Sequence, residues 1–173
     1  MNCQGEQPIG LAQRFWQILE GAGWAVMNHR DGHATREELL TLLRLDLPLP
    51  YVPTGSQTVR IVGKGQDWFF IYAHASSTEH GFWGFSANVF DQIRGQEMIN
   101  WVMVFLKENE TEGWWAEPDN VRQLVRHQDW TPTNDGRYIL NYPRGIGGGC
   151  VPFHSREELL GLMDTFASKS RRG

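Results

Sequence analysis

The residue types that most often carry catalysis are present in this chain, but they are spread along it. Cys150 and His154 stand four residues apart, as a thiol and a neighbouring base could. A nucleophile pair needs contact in space and a third group that orients the base, and sequence proximity supplies neither. We therefore interpret Cys150 as a small apolar core residue. The carboxylates show no paired spacing that indicates a general acid and a general base.

The six histidines form no recognisable metal-binding motif. His29 and His33 have the spacing of two ligands on a helix, but Asp31 and Gly32 between them indicate a turn. No third ligand follows at a characteristic spacing, so we expect neither a bound metal nor a cofactor. The glycine-rich segment 145–149 lacks the lysine and hydroxyl residue of a phosphate-binding loop, and we interpret it as a connector.

Tryptophan is the most informative residue type, with eight in 173 residues and several beside other aromatic side chains. Large rings concentrate in cores and at binding surfaces. Because side chains alternate along a strand, Trp114 and Trp115 must point to opposite faces of a sheet. In the same way Phe69 must point away from its neighbour Phe70. Two alternatives stay open: every ring belongs to the core, or one ring of each pair lies on a partner-binding patch.

The elements that must position these residues follow from hydrophobic periodicity and turn signals. Helices are predicted at about 9–21, 35–45, 86–94 and from 118, and a terminal helix is predicted after Ser155 from the spacing of Leu159, Leu162, Met163 and Phe166. Strands are predicted at 24–28, 58–62, 68–74, 101–106, 114–116 and 137–141. The last two helices follow Pro118 and the capping-box sequence that begins at Ser155, and Val121, Leu124 and Val125 are expected to face inward.

Strands that mostly pair with their sequence neighbours predict an α+β fold rather than a regular βαβ alternation. We expect one domain over 1–173, with a mixed or mainly antiparallel sheet of five to six strands flanked by about five helices. Residues 1–8 and the basic 168–173 segment are predicted to be flexible tails.

The predicted order of elements resembles the core of the PD-(D/E)XK, or restriction-endonuclease-like, superfamily. The matching elements are a helix, three strands at 24–28, 58–62 and 68–74, a helix at 86–94 and a strand at 101–106. In that family an acid near the end of the second strand and an acid-x-lysine on the third hold a divalent metal that activates water. Here the second strand has no acid, the third ends in Tyr-Ala-His, and Asp67 and Lys64 fall in the turn. The resemblance therefore implies a degenerate site.

Charge and composition indicate which class of partner and which cellular compartment to expect. The net charge is −4 and the sequence pI about 5.8, which disfavours a nucleic-acid partner without excluding one. No apolar run approaches the ~20 residues that span a bilayer, and the first ten residues do not resemble a signal peptide. Two cysteines offer no disulfide framework. We expect a soluble, cytoplasmic protein with no membrane partner.

These observations favour a non-catalytic binding module that recognises a protein partner through exposed Trp83, Trp114 and Trp115. The acidic balance would suit a basic partner. The alternative is a diverged nuclease-like, metal-dependent enzyme acting on nucleic acid, with Glu79, His80 and Asp91 as the nearest catalytic candidates. A small-ligand pocket lined by aromatic residues is a third possibility.

Overall fold

The computed structural model describes residues 10–27, 59–65, 67–76, 82–87, 90–91, 100–107, 109–126, 131–141 and 146–172. Its helices are α1 (Leu11–Gly21), α2 (Pro118–Arg126) and α3 (Arg156–Arg172). Its strands are β1 (Ala25–Met27), β2 (Val59–Lys64), β3 (Asp67–Ala75), β4 (Phe82–Ser86), β5 (Trp101–Leu106), β6 (Gly113–Ala116), β7 (Thr131–Pro132), β8 (Arg137–Asn141) and β9 (Val151–Phe153).

The α+β class is confirmed, but the number of helices is not. Three helices lie in the described ranges, where about five were expected for the whole chain. The helix predicted at 35–45 lies outside the described residues, and of the one predicted at 86–94 only 87, 90 and 91 are described as helical. In the segment 168–173, α3 continues to Arg172 and the ammonium of Lys169 lies 3.3 Å from a carboxylate oxygen of Glu117, and the flexibility predicted there stays a prediction; the tail predicted at 1–8 lies outside the described residues.

The strands form two sheets. The larger has the order β1-β2-β3-β5-β6-β9 and is antiparallel except between β3 and β5, which are parallel. The predicted mixed sheet is therefore confirmed. The smaller sheet has the order β4-β8-β7, and β4 belongs to the crossover that connects the two parallel strands. Sequence patterns did not predict β4, β7 and β9.

The larger sheet is covered on both faces. On its small-sheet face, strands β4 and β8 and helix α2 complete a core of Ile61, Phe70, Tyr72, Trp83, Phe90, Trp101, Met103, Phe105, Ala116, Val121, Leu124, Leu140, Ile146 and Cys150. On its helical face, α1 and α3 complete a core of Phe15, Trp16, Leu19, Trp24, Val62, Phe69, Ile71, Ala73, Val102, Val104, Leu106, Trp115, Phe153, Leu159, Met163, Phe166 and Ala167. All six residues of β5 are buried, as expected for a central strand covered on both faces.

The larger sheet contains two hairpins, which join consecutive predicted strands. The turn between β2 and β3 contains Gly65 at φ +66°, a conformation that glycine adopts without steric penalty. The second hairpin joins β5 and β6 through the acidic turn at 109–112, where Asn109 accepts hydrogen bonds from the backbone and hydroxyl of Thr111. These short connections fix the register that sends alternate side chains to the two cores.

The predicted capping box opens α3. The hydroxyl of Ser155 accepts a hydrogen bond from the Glu158 N–H at 3.1 Å, and the Glu158 carboxylate accepts one from the His154 N–H at 2.8 Å. In the described part of the chain, no helix combines the length and the apolar character that crossing a bilayer requires.

Candidate functional site

Two of the three tryptophans predicted at a binding surface are core residues. Trp83 and Trp115 are both 0% exposed, so the expectation that they are exposed is wrong. The reason is that both faces of the larger sheet are covered, by the small sheet on one side and by α3 on the other. Trp114 is half-buried and packs against the core of the small-sheet face.

Trp83 joins the two sheets. Its indole N–H donates to the carbonyl oxygen of Leu106 at 3.0 Å, and this oxygen also accepts the backbone N–H of Ser76 at 2.9 Å. The ring meets Phe105 edge-on at a centroid distance of 5.5 Å and Trp114 at 5.7 Å. A buried indole with its N–H satisfied holds β4 against the end of β5.

Trp115 lies beneath α3 and has a different polar environment. Its ring lies edge-on to Phe69 at 6.4 Å and to Phe166 at 5.9 Å. No acceptor among the described residues reaches its buried indole N–H. Trp115 therefore contributes apolar packing, without the hydrogen bond that accompanies Trp83.

Trp114 is the one of these three rings that keeps part of its surface accessible. The ammonium of Lys107 lies 5.9 Å from its ring centroid, within the range of a cation–π contact. The exposed part of the ring is thus already partly covered by a lysine of the same chain.

The alternative catalytic residues are not brought together in the described structure. Glu79 and His80 lie outside the described residues, and Asp91 is exposed. Asp67 is the first residue of β3 rather than part of the turn, and it is in register with Lys64 at the end of β2. Of the elements that carried the endonuclease resemblance, α1 and the strands β1, β2, β3 and β5 occur in the predicted order, β4 lies between β3 and β5, and the helix predicted at 86–94 is described only at 87, 90 and 91. Membership of that family stays a prediction.

Cys150 and His154 do not form a catalytic pair. Burial raises the pKa of the Cys150 thiol to about 12, so it remains protonated at neutral pH. His154 directly follows β9, whereas Cys150 directly precedes it. The His154 side chain is exposed, and its Nδ1 lies 4.0 Å from a carboxylate oxygen of Glu112. Cys150 is the small core residue that its sequence context predicts.

The end of β3 buries a histidine. His74 is 4% exposed, and burial lowers its pKa to about 3, so the imidazole is neutral near pH 7. Its ring stacks on Phe105 at 5.7 Å and meets Tyr72 at 3.9 Å. A general base works best with a pKa near the working pH, so His74 is better explained as a packed core residue.

The most suitable site for a partner is a pocket between α2 and the start of β5, which we call the arginine-rimmed pocket. Its volume is about 330 Å³, at the lower end of the range of ligand sites. It is lined by Phe90, Trp101, Val121, Arg122, Val125 and Arg126. In the floor, Phe90 packs edge-on against Trp101 at 6.5 Å and against Tyr138 at 5.8 Å.

The rim of this pocket comes from α2. Val121 and Val125 lie one turn apart on the helix, and so do Arg122 and Arg126, which places an apolar and a basic stripe side by side. Val125 is 37% exposed, which corrects the expectation that it faces inward. Arg122 pairs with Asp119 one turn earlier, whereas Arg126 makes no ion pair with another described residue.

Local sequence and the glycine loop hold α2 in place. Pro118 occupies the first turn, where its missing N–H costs nothing, and the Asn120 side chain accepts the Glu117 N–H at 2.9 Å. The Asn120 amide also donates to the Gly148 carbonyl at 3.2 Å. Gly148 adopts φ +72°, and a Cβ there would lie 3.0 Å from the Asn120 backbone oxygen. The 146–149 loop therefore packs closely on the helix that carries the rim.

A second cavity, of about 500 Å³, lies between the β2–β3 turn and α3. It is lined by Trp24, Lys64, Gly65, Asp67, Asp164, Ala167 and Ser168. The Lys64 ammonium already lies 5.8 Å from the Trp24 ring centroid, and Trp24 is only 3% exposed. Most residues that line this cavity are charged, polar or small, whereas four of the six that line the arginine-rimmed pocket are large and apolar, so the arginine-rimmed pocket is the stronger candidate.

Sequence reasoning did not identify Arg122, Val125 or Arg126 as site residues. A usable signal was present, because Arg122 and Arg126 repeat at a spacing of four in a helix that was itself predicted. A scan of the sequence against protein-family models finds no matching family, and a search of curated proteins finds no similar sequence.

Proposed function

We propose that this protein is a binding module that recognises a protein partner through the arginine-rimmed pocket. The observation that carries the proposal is Val125, a large apolar side chain that is 37% exposed on the rim of a cavity with an aromatic floor. Binding sites commonly combine an apolar lining with a few polar groups that fix orientation. Arg122 and Arg126 supply those groups.

The composition of the rim supports a protein rather than a nucleic acid as partner. Single-stranded nucleic acids bind by stacking bases on exposed aromatic faces. Here Phe90 and Trp101 are 1% and 5% exposed, so the accessible apolar surface comes mainly from the methyl groups of Val125 and the arginine stems. Aliphatic surface of this kind suits an apolar side chain of a partner better than a stacked base.

A pair of exposed valines provides the test. Val125→Gln should remove the apolar contact, and Val151→Gln alters a valine that is 40% exposed on β9 and does not line the pocket. Both changes are at the surface and should alter the free energy of unfolding by about 0.5 kcal/mol or less. The immobilised wild type and both variants would be incubated with extract of the source cells, and retained proteins quantified by mass spectrometry.

We expect a protein that the wild type and Val151→Gln retain equally and that Val125→Gln retains at least about ten-fold less. Retention of the same proteins in equal amounts by all three would contradict the proposed site. Retention of no protein by any of them would contradict the proposed function.

The nuclease-like alternative stays a prediction from the sequence. Two of its three candidate residues, Glu79 and His80, lie outside the described residues, and the third, Asp91, is exposed. No observation on the described residues favours it over binding.

A further inference from the structure

The rim of the arginine-rimmed pocket carries positive charge on a protein that is negative as a whole. Arg122 and Arg126 are both exposed and lie on the same side of α2 as the pocket. Asp119 pairs with Arg122, and because both side chains are well exposed this pair is weakly held. Arg126 has no such partner among the described residues. The pocket therefore keeps at least one guanidinium group available to a ligand.

Guanidinium groups are selective for particular anions. Their planar arrangement of donors matches a carboxylate, which they bind through two parallel hydrogen bonds. The same donors also match a phosphate. The two arginines lie one helical turn apart, beside two valines at the same spacing. A ligand that satisfies both stripes carries an apolar group and one or more anionic groups a few ångströms from it, and an unmodified protein partner supplies these as carboxylates.

We infer that the partner presents an acidic segment in which one apolar side chain enters the pocket and neighbouring Asp or Glu carboxylates bind Arg122 and Arg126. This inference rests on the proposed function and adds the chemistry of the partner. It differs from what net charge alone predicts, because an overall charge of −4 favours a basic partner. At short range, the charge of the contacting residues outweighs the total, since exposed charges more than about 8–10 Å apart are screened at physiological ionic strength.

Matched synthetic peptides test the inference directly. The first has a central phenylalanine flanked by two glutamates on each side, the second has glutamines in place of the glutamates, and the third has lysines. A single-stranded DNA 15-mer serves as a fourth probe. Binding is measured by titration calorimetry, and the site is identified by amide chemical-shift changes in α2. A random-peptide selection on the wild type, run beside these titrations, covers sequences that the three peptides do not sample.

We expect the glutamate peptide to bind, with amide shifts at 121–126, and the lysine peptide to show no binding. Arg126→Gln should raise the dissociation constant of the glutamate peptide about ten-fold or more. Arg156→Gln, which changes an exposed arginine at the start of α3, should leave it unchanged within about two-fold. Raising the salt concentration from about 0.05 to about 0.5 M should weaken binding, since the pair is solvent-exposed.

Each other outcome overturns a different statement. Equal binding of the glutamate, glutamine and lysine peptides, with loss in Val125→Gln, would overturn the acidic partner and leave the proposed binding function in place. If the random-peptide selection returns peptides without Asp or Glu, the acidic partner would likewise be overturned and the proposed binding function would stay in place. No bound peptide together with no protein retained from extract would overturn both. Binding of the DNA 15-mer that depends on Arg126 would overturn the inference in favour of a nucleic-acid partner.

Discussion

Trp83 and Trp115 permit a quantitative test of how the two cores are built. Both side chains are 0% exposed, and both rings meet two aromatic neighbours edge-on. They differ in one respect: the Trp83 N–H donates to the Leu106 carbonyl at 3.0 Å, whereas the Trp115 N–H reaches no acceptor among the described residues. Replacing each by phenylalanine therefore makes the same chemical change in two different polar environments.

The expected difference between the two variants can be worked out from these contacts. Trp83→Phe loses a hydrogen bond with a net value of about 1 kcal/mol, and the Leu106 oxygen keeps its second donor, the N–H of Ser76. Trp115→Phe removes a buried donor that lacks a partner, which relieves a cost of about 1–3 kcal/mol. Both variants lose similar ring volume, so the cavity contributions largely cancel. Trp83→Phe should therefore be less stable than Trp115→Phe by about 2–4 kcal/mol.

Thermal unfolding followed by far-ultraviolet circular dichroism would measure this difference. For a chain of 173 residues, 2 kcal/mol corresponds to a separation of at least about 4 °C between the two melting temperatures. Trp114→Phe serves as the control for a half-buried ring and should cost about 1 kcal/mol or less. Equal destabilisation by Trp83→Phe and Trp115→Phe, within about 0.5 kcal/mol, would refute the assignment of hydrogen bonds to these two indoles.

Two further predictions concern the glycine loop and the buried histidine. Gly148→Ala should destabilise the protein by about 1–3 kcal/mol, since φ is +72° and the new Cβ would lie 3.0 Å from Asn120 O and Leu124 Cγ. Gly147→Ala, where a Cβ meets nothing within 4 Å, should change stability by about 0.5 kcal/mol or less in the same thermal melt, and equal effects would contradict the described loop packing. Burial lowers the pKa of His74 from its ordinary value of 6.5 to about 3 in the folded state, so between these pH values the unfolded state binds more protons. His74 should therefore lower the free energy of unfolding by about 1.4 kcal/mol per pH unit as the pH falls from 6.5 towards 3. Urea midpoints at pH 7, 6, 5 and 4 should show this contribution in the wild type and in His154→Gln but not in His74→Phe; parallel pH profiles for all three would contradict it.

Local patterns were sufficient to predict much of the larger sheet. The two hairpins, the fully buried β5 and the alternation of Phe69 and Phe70 between faces follow from side-chain period and turn residues. The capping box at Ser155 and the proline at 118 likewise marked the starts of α3 and α2. These features depend on neighbours in the sequence, which is why a single sequence reveals them.

The strands that sequence patterns missed carry residues that usually argue against a strand. Gly84 interrupts the aromatic run of β4, and Pro132 and Pro152 lie in β7 and β9. Proline is tolerated at a sheet edge, where one donor of the ladder can be lost. Because β9 is an edge strand of the larger sheet and β7 of the smaller one, tertiary position overrides local preference at both places.

The exposure of the tryptophans depended on contacts that sequence spacing does not encode. Alternation shows that Trp114 and Trp115 point in opposite directions, but not what covers each face. The cover of the small-sheet face includes β4, which lies in the crossover between the parallel strands β3 and β5, and β8, which pairs with β4 from much later in the chain. The arginine-rimmed pocket depends on the same long-range arrangement, since its floor joins Phe90 and Trp101 to α2.

The two outermost strands of the larger sheet affect how copies of this protein behave at high concentration. As described, β1 and β9 each have three residues, and the middle residue of β9 is Pro152. Strands this short offer few unpaired backbone groups to a neighbouring molecule, and proline removes one donor from the row. These two features disfavour edge-to-edge pairing of sheets from different molecules. The interior strands are strongly apolar, and they would promote aggregation if they were edge strands.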